Sequence, residues 1–335
     1  MKTKKIRLAI IGCGGFVRYH VAGIRESVPE ADIVGLCDII PERADKLAQE
    51  IGEGHRPQCF KHYADMLKAV RPQGVLVSTP HTLHFEHAYA VLAAGANVMV
   101  DKPMVTDPAD ARRLVARAAR KKLILSVAMQ GVHTAQFAYA RHLIDSGEIG
   151  EPQLITGVLA QDWKDLTRGW WRQKPALSGG GQLYDSCCHL LSAMMVLVNS
   201  PAREVFCFAD NKGLRVDINA VGGIRFANGC IGSITSGGNC GAWKSHLIFQ
   251  GKEGCFEIGA HGGGLNVYGK AFPQAVTEPP KSWKVKTVVP VRNFVDAIKG
   301  KAPLRCDGRV GILMADLMTA MYQSARTGRA VRVRS

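Results

Sequence analysis

With 335 residues the chain has room for two domains or one unusually large one. Its composition, 47% hydrophobic and 21% charged, excludes a disordered tail, a collagen and a coiled-coil rod. The formal charge of +15, from 43 Lys and Arg against 28 Asp and Glu, would suit nucleic acid or an anionic small molecule. The basic residues, however, gather at the N-terminus, along Arg112 to Lys122 and at Arg326 to Arg334 with no aromatic interleaving, so they read as a solubilising surface with no nucleic-acid partner. No window reaches the roughly 18 apolar residues of a membrane span, and the start, Met1-Lys-Thr-Lys-Lys, leads into a short apolar run without a secretory cleavage site. Ten irregularly spaced cysteines, none in a C-x-x-C pair, argue against a disulfide framework or a zinc site. A cytoplasmic protein with packed thiols is expected.

In chain order, Ile6 to Ile11 is an apolar run, Phe16 to Ser27 a helical stretch, and Ile33 to Cys37 a second run ending at Asp38. Pro41 opens a helix through Ile51, Tyr63 to Val70 forms another, and Gly74 to Ser78 is a buried strand stopped by Pro80. His84 to Ala94 is helical with Gly95 as its cap, Asn97 to Val100 a strand, Pro108 to Lys121 a basic helix, and Leu123 to Val127 one more strand. Short strands apolar at every position must be covered on both faces, so residues 1–128 are expected to form a doubly wound parallel sheet.

After Gln130 the rhythm changes. A helix at Gln136 to Ser146 precedes strands and glycine turns. Ile218 to Phe226 and Cys230 to Ser236 flank Asn228-Gly229, and His246 to Gln250 and Cys255 to Ile258 flank Gly251-Lys-Glu-Gly254, two hairpin signals. Trp283 to Val289 reads as a further strand, with helices at Val291 to Ile298 and Arg309 to Ala325. Residues 129–335 are therefore expected to form a second domain with an antiparallel sheet covered by helices on one face. Its other face would be apolar and open, which calls for at least a dimer of the chain.

Gly12-Cys13-Gly14-Gly15-Phe16-Val17 sits between the first strand and the first helix, where glycines permit a tight turn and let backbone N–H groups approach a pyrophosphate. The strict pattern wants Gly or Ala at Val17. Asp38, at the end of the second strand, is placed to accept hydrogen bonds from ribose hydroxyls. Together they point to a dinucleotide. Thr79-Pro80-His81-Thr82-Leu83-His84 and Asp101-Lys102-Pro103 follow the next two strands, and strand carboxyl ends are where open α/β sheets hold ligands. Ser178-Gly179-Gly180-Gly181 leads into a stretch from Leu183 to Val198 that is apolar on nearly every face, so one continuous buried helix is expected, with Asp185 and His189 one turn apart on it. The His81, His84 and His87 trio spreads around a helix with no carboxylate cluster and is not read as a metal site.

On these residues the chain resembles the Gfo/Idh/MocA family, the glucose–fructose oxidoreductase and inositol dehydrogenase group. The likeness rests on Gly12-x-Gly14-Gly15 with His20, Thr79-Pro80 with His84, Lys102-Pro103, and Gly179-Gly180-Gly181 with Asp185 and His189. Departures are Asp101 for a usual Glu, His81 for Asn, His133 for Arg, Ser192 for Asp, and Cys187-Cys188 for a glycine-containing step; these bear on substrate identity rather than reaction class. The resemblance implies an N-terminal Rossmann domain, a C-terminal α/β domain with a large, mostly antiparallel open-faced sheet, and assembly into homodimers or homotetramers. It implies an NAD(P)-dependent dehydrogenase moving a hydride between nicotinamide and a CH–OH carbon of a sugar, sugar derivative or cyclitol.

Hydride transfer needs a base for the hydroxyl proton. His189 is expected as general acid/base, Asp185 as its partner or a substrate-hydroxyl ligand, and Lys102 as the polarising and proton-relaying group, with the His and Lys roles interchangeable. Trp163, Trp171 and Arg172 are expected on the substrate side. Cofactor contacts are expected from Gly12, Gly14, Gly15, Phe16, Val17 and Asp38, and from Thr79, Pro80, His84 and Lys102. Asp38 favours NAD over NADP by facing the 2′-phosphate with a like charge, although Arg43 lies close enough to swing toward such a phosphate. Two other readings share this fold. One is an NAD-dependent glycosidase or lyase working by transient oxidation. The other is a non-catalytic nucleotide sensor, which has no need of the Lys102 and His189 kept here.

Overall fold

Apolar runs cut by proline and glycine build two compact units in the computed structural model, which describes residues 5–52 and 56–334. The basic tetrapeptide 1–4 lies outside the described residues. The first unit alternates β1 (Ile6–Ile11), α1 (Val17–Ser27), β2 (Ala31–Cys37), α2 (Pro41–Ile51), β3 (Gln58–Phe60), α3 (Tyr63–Val70), β4 (Gly74–Val77), α4 (His84–Ala93), β5 (Asn97–Val100), α5 (Pro108–Lys121) and β6 (Leu125–Val127). Its six strands are parallel in the order β3-β2-β1-β4-β5-β6, a doubly wound sheet whose order reverses between β1 and β4. All four residues of β4 are buried, as double coverage requires. Pro41 sits in the first turn of α2, where its missing N–H costs nothing, and Gly95 after α4 takes φ +83° as a helix-ending glycine should.

The chain leaves this unit after Ala128, where the sequence places a boundary, but returns to it later. The unit comprises the chain up to Val105, Ala109–Ala128 and also Val288–Gly311. The helix Pro290–Ile298 buries Val291, Phe294 and Val295 in one core with Leu8, Ile10, Leu36 and Leu76. Arg292 fastens it by donating to Glu30 (2.8 Å) and to the Ser27 carbonyl (3.0 Å). The apolar spacing of this helix identifies a buried face but not which core buries it, so periodicity alone places it in the wrong domain.

The second unit, Thr106–Pro108, Met129–Thr287 and the chain from Ile312 on, carries α6 (Ala135–Asp145), β7 (Pro152–Ala160), four helices α7 (Trp163–Leu166), α8 (Pro175–Ser178), α9 (Gln182–Asp185) and α10 (Cys187–Val198), then β8 (Ala202–Asp210), β9 (Asn219–Phe226), β10 (Ile231–Gly237), β11 (Lys244–Gly251), β12 (Gly254–Ile258), β13 (Asn266–Gly269), β14 (Phe272–Val276) and β15 (Val331–Arg332). The helices Pro290–Ile298 and Gly308–Thr327 are α11 and α12. The nine strands run β14-β13-β12-β11-β7-β10-β9-β8-β15, parallel only between β7 and β10. Strict alternation along β9 and β10 buries one face. That face meets α10: a Cβ on Gly157 would lie 2.7 Å from Leu190, so β7 uses glycine to let the helix close. On the opposite face Phe208, Val221, Thr235 and Val158 form one cross-strand row, with Phe208 64% and Val221 52% exposed.

Two element expectations fail. The stretch Trp283 to Val289 joins neither sheet. Within it Trp283 makes ring contacts with Tyr139 and His142 of α6 (5.3 and 5.1 Å) and the Thr287 hydroxyl accepts from the Ala135 amide (2.9 Å), while Val285 between them is exposed. The single helix from Leu183 to Val198 is instead two, α9 and α10, broken at Ser186. Among the described residues no helix is long and apolar enough to cross a membrane.

Candidate functional site

The carboxyl ends of β1, β2, β4 and β5 lie side by side in the first sheet, which gathers the glycine turn, Asp38, Thr79-Pro80 and Lys102-Pro103 along one edge. Gly12 takes φ +94°, and a Cβ there would sit 2.5 Å from the Ser78 carbonyl oxygen, so only glycine fits. Gly14 and Gly15 differ: a Cβ on either would meet nothing within 4 Å. The start of α1 has no side-chain cap and no acidic residue in its first turn, which leaves its N–H groups and dipole to an anion. Asp38 spends one hydrogen bond from each carboxylate oxygen on its own surroundings, accepting from the Cys13 amide (2.8 Å) and the Ile40 amide (2.9 Å). A carboxylate has about four acceptor positions, so two remain for hydroxyls. An open glycine cradle, an uncapped helix start and a half-used carboxylate fit a dinucleotide. Phe16 is exposed on the turn and Arg43 on α2. Val17 is fully buried in the core, where its side chain packs helix on sheet.

A buried polar network underlies Lys102. Asp101 accepts from His20 Nε2 through Oδ1 (2.7 Å) and from the Ser78 hydroxyl through Oδ2, tying β5 to α1 and to the end of β4. Burial alone would raise the Asp101 pKa, but the opposing His20 and its hydrogen bond, with the Ser78 bond, hold the carboxyl below its ordinary range. Lys102 follows, half-buried, joined to Pro103 by a cis peptide bond. His84, expected to touch cofactor, is fully buried. Its Nδ1 faces the Pro103 carbonyl (2.8 Å) and its Nε2 the Thr79 carbonyl (2.7 Å). Burial, then the neighbouring His81, pull its pKa down to about 4. His84 is therefore buried between the Thr79 and Pro103 loops, and as a neutral imidazole it donates to only one of the two carbonyls it faces. The hydroxyl of Thr79 pairs with His87 Nδ1 (3.0 Å), and Thr79 and Pro80 stay partly exposed.

In the second unit the three glycines before α9 each meet protein: Gly179 packs on Thr106 with φ +76°, Gly180 on the Tyr322 hydroxyl, and Gly181 on the Asp217 backbone. The turn delivers Asp185, at the end of α9, and His189, in the first turn of α10, both buried. Asp185 Oδ2 accepts from Trp163 Nε1 (2.7 Å) and from Arg172 Nε (2.9 Å), and the Arg172 guanidinium lies 4.6 Å over the Trp171 ring. Trp163, 2% exposed, packs with Val216 and Ile218; it holds Asp185 in place and is too buried to stack on a ring, so its expected substrate contact is corrected. Trp171 and Arg172 are half-buried.

Sequence reasoning misses a wall beside His189. The His261 ring lies 4.3 Å from that of His189, Ser245 Oγ bonds His261 Nδ1 (2.8 Å), and Trp243, 60% exposed, meets His261 edge-on at 5.1 Å. Gln161 Nε2 donates to Gln182 (3.0 Å) and Ser186 (2.7 Å) at the helix break. The only signal for this wall is a Trp and a lone His in glycine-rich loops, with no fixed spacing to any motif.

Comparison with known proteins agrees with this geometry. Residues 6–129 match the model of an oxidoreductase family with an NAD-binding Rossmann fold, and residues 137–257 match the C-terminal domain of the same family. The D-glucoside 3-dehydrogenase of Escherichia coli is 24% identical over 99% of both chains, and an inositol 2-dehydrogenase of Rubrobacter xylanophilus is 22% identical over 96% of this chain and 92% of its own. The WlbA dehydrogenase of Bordetella pertussis, solved with NADH and UDP-GlcNAcA, shares the fold at a TM-score of 0.84 and 23% identity, covering 99% of each chain.

Proposed function

The chain belongs to the Gfo/Idh/MocA oxidoreductase family, and from that premise we propose that it is an NAD-dependent dehydrogenase acting on one CH–OH carbon of a polyhydroxylated ring: a sugar, a sugar derivative or a cyclitol. The observation that supports the reading is that the chain carries both an anion-ready glycine turn backed by Asp38, with Lys102 in the same unit, and, in the second unit, an Asp185 held by Trp163 and Arg172 one turn before His189. The full-length relatives named for glucoside and inositol dehydrogenation support the substrate class.

The turn at Gly12, Gly14 and Gly15 and the start of α1 would hold the pyrophosphate, and Asp38 would accept from the adenosine ribose hydroxyls. When bound, NAD supplies the nicotinamide carbon that takes up the hydride. Lys102 contributes an ammonium that polarises the reacting hydroxyl and relays its proton. His189 takes that proton near neutral pH, where an imidazole is the most suitable base. Asp185, which accepts from the Arg172 guanidinium and the Trp163 N–H, orients a substrate hydroxyl or the imidazole. Trp171, Arg172, His261 and Trp243 offer flat faces and donors to the rest of the ring. The open face of the nine-stranded sheet, with Phe208 and Val221 uncovered, is the surface through which copies of the chain assemble.

The test is a panel of sugars, sugar acids, cyclitols and glycosides with NAD+ and, for the keto forms, NADH, followed by cofactor absorbance. A member of the panel should change cofactor redox state stoichiometrically. Lys102→Ala and His189→Ala should each lower its turnover about 10²-fold or more while NADH affinity stays near parental. Activity confined to simple aliphatic or aromatic alcohols, or parental turnover in both variants, would sink the reading. Turnover without net cofactor change would favour transient oxidation instead.

A further inference from the structure

The helix α9 that carries Asp185 is a single turn of four residues, too short to hold its own conformation. The amides of its N-cap, Gly181, and of its first two residues are nevertheless satisfied, all by one residue distant in sequence. Gly181 N donates to Asp217 Oδ1 (2.7 Å), Gln182 N to the Asp217 carbonyl (3.0 Å) and Leu183 N to Asp217 Oδ2 (2.8 Å). Asp217 is thus a helix cap delivered from the loop before β9 rather than from the local chain. The approach is so close that a Cβ on Gly181 would stand 1.9 Å from the Asp217 oxygen.

Asp217 is itself held. Tyr322 of α12 donates its hydroxyl to Asp217 Oδ1 (2.5 Å), over the position where a Cβ on Gly180 would meet that hydroxyl at 2.2 Å. The Tyr184 ring stacks on Tyr322 at 5.3 Å and 15°, and its own hydroxyl donates to the Thr106 carbonyl (2.8 Å). Burial, then the facing Asp217 carboxylate, push the Tyr322 pKa well above the ordinary phenol range, so it remains a donor. The residues on either side of Asp217 serve the same end: Val216 and Ile218 pack against Trp163, whose indole N–H donates to Asp185. One loop therefore fixes Asp185 twice, through the backbone that carries it and through the donor that orients its carboxylate.

We propose that Asp217 and Tyr322 are positioning residues for the reaction: they lock the triple-glycine turn, and with it the place of Asp185 and of the α10 start that bears His189. The inference rests on the roles given above to Asp185 and His189. Neither residue is assigned contact with substrate.

The experiment compares the full-length parental protein with Tyr322→Phe, which keeps the ring stack and deletes only the hydroxyl, and with Asp217→Asn. Two readouts are taken: hydrogen–deuterium exchange at the 181–183 amides, and kcat, KM and the primary deuterium isotope effect on kcat with whichever panel substrate is turned over. In Tyr322→Phe the three amides should exchange roughly tenfold faster, consistent with loss of a hydrogen bond to a charged group. The same variant should lose about tenfold in kcat, with KM for NAD+ unchanged and a larger isotope effect as hydride transfer becomes slower than product release. A role in stability alone would lower the melting temperature and leave the isotope effect parental. Parental exchange at 181–183 in a folded Tyr322→Phe protein overturns the proposal, as does faster exchange with an unchanged kcat and isotope effect. If the parental protein turns over nothing in the panel, the functional reading fails, and the exchange data still decide whether these residues lock the turn.

Discussion

Asp38 offers the sharpest test of cofactor choice, because both of its carboxylate oxygens already have one backbone partner. In Asp38→Asn the amide keeps one acceptor oxygen, which the Ile40 N–H takes, and puts an NH2 against the Cys13 N–H or against a ribose hydroxyl. Losing one charge-assisted bond to the ribose costs about 1.5–3 kcal/mol, or roughly 10- to 10²-fold in NADH affinity. The 2′-phosphate of NADPH shows the opposite balance. A carboxylate about 4 Å from one phosphate charge at an effective dielectric of about 20 repels it by on the order of 4 kcal/mol, and a separation this far inside the Debye length is little screened. Removing the charge relieves that repulsion, so the NADH-over-NADPH preference should fall by at least about 10²-fold. Titrating both reduced cofactors by fluorescence measures it, with a thermal melt alongside because the Cys13 amide loses its acceptor. Tighter NADPH than NADH binding by the parental protein, or an unchanged ratio in the variant, would refute the assignment.

Two further outcomes follow from the packing. Arg292, and secondarily Lys299, hold the Glu30 pKa down at about 2 from an ordinary 4.5. A depressed carboxyl stabilises the fold fully above about pH 4.5 and loses that contribution as pH falls toward 2. After discounting for solvent, Glu30→Gln should cost about 1–2 kcal/mol at neutral pH and nothing near pH 2, flattening the acid limb of a denaturation curve; an unaltered limb would show that the bridge to α11 contributes nothing. Light scattering should give at least twice the monomer mass, and Val221→Lys, in the exposed row with Phe208 and Val158, should reduce it to one; a parental monomer at micromolar concentration would contradict assembly through that face.

The first unit is legible in the sequence because its signals are local. Strands β1, β2, β4 and β5 are short apolar runs ended by Gly12, Asp38, Pro80 and Lys102-Pro103, found from adjacent residues alone, whereas β3, three largely exposed residues at the sheet edge, carries no such signal. What fails is everything decided at long range. The apolar face of α11 belongs with Leu8 and Ile10, nearly the whole chain away. Trp283 to Val289 reads as a strand, but it is largely exposed and is tied down by Trp283 against rings of α6 and by Thr287 at the Ala135 amide rather than by a neighbouring strand. The break at Ser186 leaves the i, i+4 spacing of Asp185 and His189 intact while making their relative placement depend on Asp217, a residue in no motif. His84 matches a ligand pattern for a structural reason, since a loop brace needs the same fixed spacing as a contact.

The two glycine clusters look alike in sequence and mean opposite things. Around Gly14 a Cβ meets only open space, whereas around Gly181 it would meet the Asp217 backbone at 1.9 Å. The first turn stays open at Gly14 and Gly15, and the second is filled by the protein itself. Gly14→Ala should therefore fold normally, within about 1 kcal/mol of parental stability, and bind NADH at least roughly tenfold more weakly because a methyl obstructs the backbone approach to the pyrophosphate. Gly181→Ala must displace backbone, and should lose about 3 kcal/mol or more with whatever NADH affinity remains in the folded fraction close to parental. Melting curves with and without NADH separate the two. If Gly14→Ala proved the unstable variant, or bound NADH as the parent does, the open space beside Gly14 would not be the pyrophosphate site, and the nucleotide assignment would lose its structural footing.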